Sequence, residues 1–216
     1  MTIFKQQSIL LSTAFFPPVQ YFSKLLLFEK VYIEQCENFT KQTFRNRCVI
    51  LGANGPVSLI VPVLKGRNGK AGIKDVRISY NTEWQRNHWR TIFSAYNSSP
   101  FFKFYTDDIR PLFEARKKYL FEMNLAILEC LCELLEIGNR PILTVGFEEV
   151  PGGTLNLREA LSPKIQKTKS DPHFQPLQYT QVFREKFGFV PNLSILDLLF
   201  NEGPKSLQVL KESTFQ

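Results

Sequence analysis

The sequence predicts an α/β protein: a mixed sheet with an N-terminal βαβ unit and a β-hairpin, packed by a largely helical C-terminal half. Three observations predict it. First, an apolar run, "SILLSTAFF" (8–16), is followed by a helically spaced stretch, "VQYFSKLLLFEK" (19–30), and a second apolar segment, "VYIEQC" (31–36). Strand, helix and strand in so short a span read as a crossover unit with parallel strands. Second, "RCVIL" and "VSLIVPV" flank "GANG", in which Asn54-Gly55 tolerates positive φ and favours a tight reversal. Third, apolar residues from residue 81 onward recur mostly at helical spacing.

Each element has its own reason. The first strand is a continuous apolar run, as expected when both faces are buried, and Pro17-Pro18 ends it because proline supplies no ladder donor. Val19, Phe22, Leu25 and Leu26 give the first helix one apolar face. After the hairpin, "LKGRNGKAG" (64–72) is a glycine-rich loop, and "IKDVRIS" (73–79) alternates as a strand does. Asn81 or Thr82 is placed to cap a helix carrying Trp84, His88, Ile92 and Tyr96. Two further helical stretches fill 100–139, the second closed by Gly138. Residues 141–150 read as a strand and 151–178, polar and proline-bearing, as a long loop. The tail, from residue 179, reads as two helices separated at Gly203-Pro204, with Ser194 as a cap. No repeat or composition shift divides the chain, so residues 1–216 are expected to form a single domain, strand-rich over 1–80 and mainly helical over 81–216.

The formal charge of +7 favours an anionic partner. No nucleic-acid-binding motif accompanies that charge, which argues against a sequence-specific DNA reader. Cys36, Cys48, Cys130 and Cys132 form no CxxC pair and no metal-ligand spacing with His88 or His173, and no metal site is expected. The beginning of the chain lacks the three regions of a secretory signal, and "SILLSTAFF" is too short to cross a bilayer. A cytoplasmic protein without membrane insertion is therefore expected. No cofactor and no oligomeric state is implied.

Candidate functional residues fall in four places. If "FRNRCVIL" (44–51) is a strand, Arg45 and Arg47 share a face and Asn46 takes the other. Two guanidiniums so placed suit a phosphate or carboxylate; the alternative is a strand edge ion-paired to Glu34 or Glu37. Gln20 and Tyr21 begin the first helix, where open α/β sheets bind ligands, although no glycine-rich phosphate loop is present. His88 is the better placed histidine for proton transfer; it equally suits a hydrogen-bonded, half-buried position on the Trp84–Tyr96 stripe. Asp197 and Asn201 lie four apart on one helical face. A carboxylate facing a core needs a partner, for which an arginine is expected, whereas an exposed helix face needs none.

Four stretches together, "FFPPVQYF", "FTKQTFRNRCVI", "HWRTIFSAYNSSPFF" and "NLSILDLLFNEGP", resemble the WbqC-like family of bacteria in order and spacing, from about residue 10 to residue 210. The resemblance implies a place in surface-polysaccharide and O-antigen biosynthesis. It suggests a transferase acting on a nucleotide-activated sugar or similar anionic metabolite, with a non-catalytic binding or scaffold protein of the same pathway as the alternative. Lys41, Asn46, Arg47, His88, Tyr96, Asp197 and Asn201 fall on recurrent family positions. Of these, His88 and Asp197 are expected to act in catalysis and Lys41, Asn46, Arg47, Tyr96 and Asn201 in substrate binding, joined by Gln20, Tyr21 and Arg45 from their places at the helix start and the expected strand. The chain departs from the family in reading "STAFFP" and "VQYF" near its start. It also reads "IEQCEN" where an acidic segment is usual, leaving Glu34 and Glu37 as the nearby acids.

Overall fold

A computed structural model describes residues 4–64, 71–147, 152–163 and 171–214. Strand β1 (Phe4–Ser12), helix α1 (Val19–Leu27) and strand β2 (Phe28–Glu34) form the expected βαβ unit, with Ile9 opposite Val31 and Leu11 opposite Ile33 in parallel register. β1 ends at Ser12, before the apolar run is over. The chain leaves the sheet there to reach Phe16, which sits at φ 40 ahead of the two prolines. α1 is shorter than its apolar spacing suggests: Phe28 takes an extended conformation, and its N–H still closes the helix on the Lys24 carbonyl.

Two short strands complete a fully parallel four-stranded sheet. β5 (Ile142–Leu143) pairs with β2, and β6 (Leu155–Asn156) pairs with β1 on the other side. The spatial order is β5-β2-β1-β6. The strand expected over 141–150 is thus only two residues long, and its residues 148–150 lie outside the described residues. The loop expected over 151–178 contains β6; its residues 151 and 164–170 also lie outside them.

The hairpin is a separate antiparallel pair, β3 (Arg47–Gly52) and β4 (Gly55–Ile60), turned at Ala53-Asn54 with Gly55 at φ 109. Residues 73–79 are not a regular strand. Ile73–Asp75 form a 3-10 turn, and Arg77 and Ile78 pair one residue at a time with Tyr119 and Val63. The helices are α2 (Trp84–Tyr96), α3 (Phe102–Glu114), α4 (Leu120–Leu134), α5 (Arg184–Phe187), α6 (Ile195–Glu202) and α7 (Ser206–Glu212). The tail therefore holds three helices rather than two, the first a single turn that ends where Gly188 adopts φ 68.

The core explains the abundance of phenylalanine. Phe15, Phe16, Phe22, Phe28, Phe113 and Phe200 are fully buried with Tyr96, each such side chain contributing about 1.5–3 kcal/mol. Phe16 stacks on Phe113 at 4.6 Å with the rings 5° apart, and Phe15 meets both edge-on. Among the described residues no helix is long and apolar enough to cross a membrane, and no group of three His, Cys, Asp or Glu side chains is placed to hold a metal ion.

Candidate functional site

Numbered among themselves along the chain, the parallel strands run third, second, first, fourth across the sheet. The direction of winding reverses between β1 and β6, and in such sheets the crevice outside the carboxyl ends of those two strands is the ligand position. A cleft of about 600 Å³ lies there. Its walls come from Gln20 of α1, from Glu37, Asn38 and Thr40 beyond β2, from β6 and the residues after it as far as Leu161, and from Phe147 and Asp171–His173.

The polar groups of the cleft are tied in pairs. The Arg45 guanidinium donates to both carboxylate oxygens of Glu37 at 2.7 and 2.6 Å, and it also reaches Ser12 Oγ and Glu159 Oε1, each at 2.8 Å. Burial works against this cation, yet its two carboxylate partners hold its pKa above the ordinary value. Arg158 donates to Asn156 Oδ1 and to Glu34, and its guanidinium lies 4.7 Å from the centre of the exposed Phe147 ring. Glu34 is fully buried and also accepts from Thr144 Oγ1 and the Cys36 N–H. Lys24, entirely buried on α1, pairs with Asp171 at 2.6 Å, and Gln20 Nε2 donates to the same oxygen at 2.7 Å. Burial raises the Asp171 carboxyl, but the lysine and glutamine outweigh it and the pKa is lowered. His173 follows on the same short segment, its N–H donating to Asp171 Oδ1.

The start of α1 is not a phosphate cradle. The Val19 N–H donates to the Leu193 carbonyl, the Gln20 N–H to Asn192 Oδ1 and the Tyr21 N–H to the Pro18 carbonyl. The donors that would meet an anion at a helix start are consumed by the chain itself.

Of the residues singled out in the sequence, Gln20 lines the cleft and Arg45 braces it from beneath through Glu37 and Glu159. Lys41 stands exposed beside it, in a small hollow of about 70 Å³ that shares Thr40, Glu159 and Leu161 with the cleft. Tyr21 is buried, its hydroxyl donating to the Ser12 carbonyl. Arg45 and Arg47 do not share a strand face: Phe44–Asn46 form a 3-10 turn, and β3 begins only at Arg47. Thr43 starts that turn by accepting from the Arg45 N–H, and this rotates Arg45 inward to Glu37, the carboxylate partner that the ion-pair alternative includes.

The remaining candidates lie away from the cleft. Asn46 Nδ2 donates to the Val61 carbonyl across the hairpin. His88 is buried between Trp84 and Phe15, and burial lowers its pKa from 6.5 to about 4, so that it is neutral at pH 7. Asp197, 1% exposed, has no arginine partner among the described residues. It accepts from the Tyr96 hydroxyl at 2.9 Å, the Tyr179 hydroxyl at 2.7 Å and Gln181 Nε2 at 2.8 Å. Burial nevertheless prevails over these donors and raises its pKa. Asn201 Nδ2 donates to the Asp197 carbonyl one helical turn back.

The four quoted stretches do converge, but mainly as interior framework. Phe15 N–H bonds the Phe44 carbonyl, Ser194 N–H the Val49 carbonyl, Ile195 N–H the Pro17 carbonyl and Phe101 N–H the Phe200 carbonyl; Leu51 N–H bonds the Tyr96 hydroxyl. The cleft residues that sequence reasoning missed, Phe147, Asn156, Arg158, Glu159 and Asp171, belong to segments without a long periodic signal. The available hint is "GGTLNLRE": a glycine turn, two alternating apolar residues, then charges where a strand would end.

The profile of the WbqC-like protein family matches residues 13–170 and 158–209. A curated relative, the uncharacterized protein Rv1507c of Mycobacterium tuberculosis, is 28% identical over 214 residues, an overlap covering 88% of this chain and 91% of the relative. No solved structure matches the chain.

Proposed function

The chain belongs to the WbqC-like protein family, and from that premise we propose that it is a transferase-type enzyme whose cleft at the carboxyl ends of β1 and β6 takes a nucleotide-activated sugar or a similar anionic metabolite of surface-polysaccharide biosynthesis. The observation that carries the reading is the position of a 600 Å³ cleft at the reversal of a parallel sheet. That volume lies within the roughly 300–1,000 Å³ of ordinary small-molecule sites. One wall is apolar, with the Phe147 ring half exposed and Leu155 beside it, suited to the flat face of a sugar or base. The other carries Gln20, Asn38, Asn156, Glu159 and Asp171, amides and carboxylates that accept from hydroxyls. Arg158 lines the cleft as a cation, and Lys41 stands in the small hollow beside it. His173 is the imidazole of the cleft, and with Glu159 it offers the groups for moving the proton that an attacking acceptor loses.

A panel of nucleotide sugars, acyl-CoAs and oligonucleotides, scored by thermal shift, tests the reading, because a ligand of the folded state raises Tm by mass action. Stabilisation by a nucleotide sugar, diminished in Arg158→Ala, together with slow release of nucleoside diphosphate, supports the transferase. Stabilisation without turnover supports the binding or scaffold protein, since the described carboxylates Glu34, Glu37, Glu159 and Asp171 all begin paired. A response confined to oligonucleotides, and collapsing steeply with salt, overturns both.

A further inference from the structure

Trp89, the neighbour of His88 in "HWRTI", lines a second hollow of the molecule. Between the start of α2 and the end of α3 lies a concavity of about 510 Å³, sharing no lining residue with the cleft at the sheet. Its walls include Tyr80, Arg86, Trp89, Arg110 and Arg116. Two of the guanidiniums lie over aromatic rings: Arg116 at 5.4 Å from the centre of Tyr80, and Arg110 at 6.0 Å from that of Trp89. Both rings are themselves fixed from behind. Trp84 stacks on Tyr80 at 6.0 Å and donates from its indole nitrogen to the Ser79 carbonyl, and Phe102 stacks on Trp89 at 5.9 Å.

The backbone carrying Arg116 is equally tied. The Tyr80 hydroxyl donates to the Lys117 carbonyl at 2.7 Å, and the Gln85 amide donates to the carbonyls of Phe113 and Ala115. Glu83 takes Arg86 and Glu114 takes Arg110. Among the described residues no carboxylate pairs with Arg116. A guanidinium presents its N–H donors in a planar fork, the arrangement that grips a tetrahedral or planar oxyanion through two parallel bonds.

We propose that this concavity is a second ligand site, one that takes the phosphate of a phosphorylated small molecule between Arg110 and Arg116. The molecule supplies its own probe, because the chain has two tryptophans, one lining the concavity and the other backing Tyr80. Inorganic pyrophosphate is titrated into the full chain at constant ionic strength while indole emission is recorded. A saturable change is expected, weakened about tenfold or more in Arg116→Ala, the scale of losing a charge-assisted pair of bonds, and unaltered in Gln20→Ala. Arg116 is exposed, so circular dichroism should show the variant folded. Absence of a saturable change overturns the proposal, as does binding by Arg116→Ala equal to wild type. Loss of the change in Gln20→Ala with retention in Arg116→Ala overturns it too, by assigning the anion to the cleft at the sheet.

Discussion

Asp197 and Glu37 are both carboxylates with at most a few per cent of their surface open to solvent, yet they are satisfied in opposite ways. Asp197 sits among neutral donors, two phenols and an amide, at the meeting point of α2, α6 and the segment before α5. Glu37 is held by a full guanidinium that also reaches an exposed glutamate at the lip of the cleft. Neutral donors stabilise a buried charge only partly, and the Asp197 pKa stays raised. A cation neutralises the Glu37 charge, and the same guanidinium also pairs with the exposed Glu159. The motif-bearing interior is thus built to hold elements together. The rim of the cleft carries charges whose pairs are partly open to solvent, as at Glu159.

The largest effect should come from cutting the charged arrangement at its centre. Arg45→Ala leaves Glu37 buried without its cation, for which about 3–5 kcal/mol of lost stability is expected, read as a lower urea midpoint with unchanged slope. Adding Glu37→Gln in the same chain should restore part of that loss, since the stranded charge is gone. A loss below about 1 kcal/mol in Arg45→Ala would place this pair among solvated surface bridges and erase the contrast with Asp197.

Cutting the neutral arrangement should cost less and should carry a pH signature. Asp197→Asn keeps the shape but turns an amide group toward existing donors, costing about 1–3 kcal/mol. In the wild type the folded state binds the Asp197 proton more tightly than the unfolded state, whose carboxyl titrates near 3.8. The contribution of this group is therefore complete below 3.8 and is lost as pH rises through the raised folded value. The asparagine variant lacks that term, so the stability difference between wild type and variant should narrow as pH rises through that window. Stability profiles that stay parallel across it would mean that the three donors outweigh burial.

These two regions also differ in how well the sequence announces them. The βαβ unit and the hairpin are legible from apolar runs punctuated by Pro17-Pro18 and Asn54-Gly55, and helices α2 to α4 from side chains recurring at helical spacing, as with Trp84, His88, Ile92 and Tyr96. Asp197 is legible as an anomaly, a charge in an apolar run, although its partners Tyr179 and Gln181 come from a stretch without periodicity. β5 and β6 have two residues each, too few for alternation to register, and they become strands only because β1 and β2 offer them edges. The cleft depends on those strands, so Arg158 and Glu159 look like ordinary loop charges until the sheet is assembled. Arg45 shows the same limit at close range. One 3-10 turn, started by the Thr43 hydroxyl, reverses the face that a strand would give it.

The smallest stability effect isolates the rim itself. Arg45 is shared by two carboxylates, Glu37 with its side chain 6% exposed and Glu159 with 67% exposed. Water already screens the Glu159 end, so Glu159→Ala should change stability by less than about 1 kcal/mol, while Glu37 keeps the guanidinium in place. The same side chain lines both the cleft and the small hollow beside Lys41. Its removal should therefore shrink the thermal shift given by whichever nucleotide sugar the wild type binds, with almost no change in the melting temperature of the free protein. A large drop in that melting temperature would make Glu159 part of the framework, and the distinction between an interior fastened by Asp197 and a rim open to solvent would no longer hold at the one residue where it is most exposed to test.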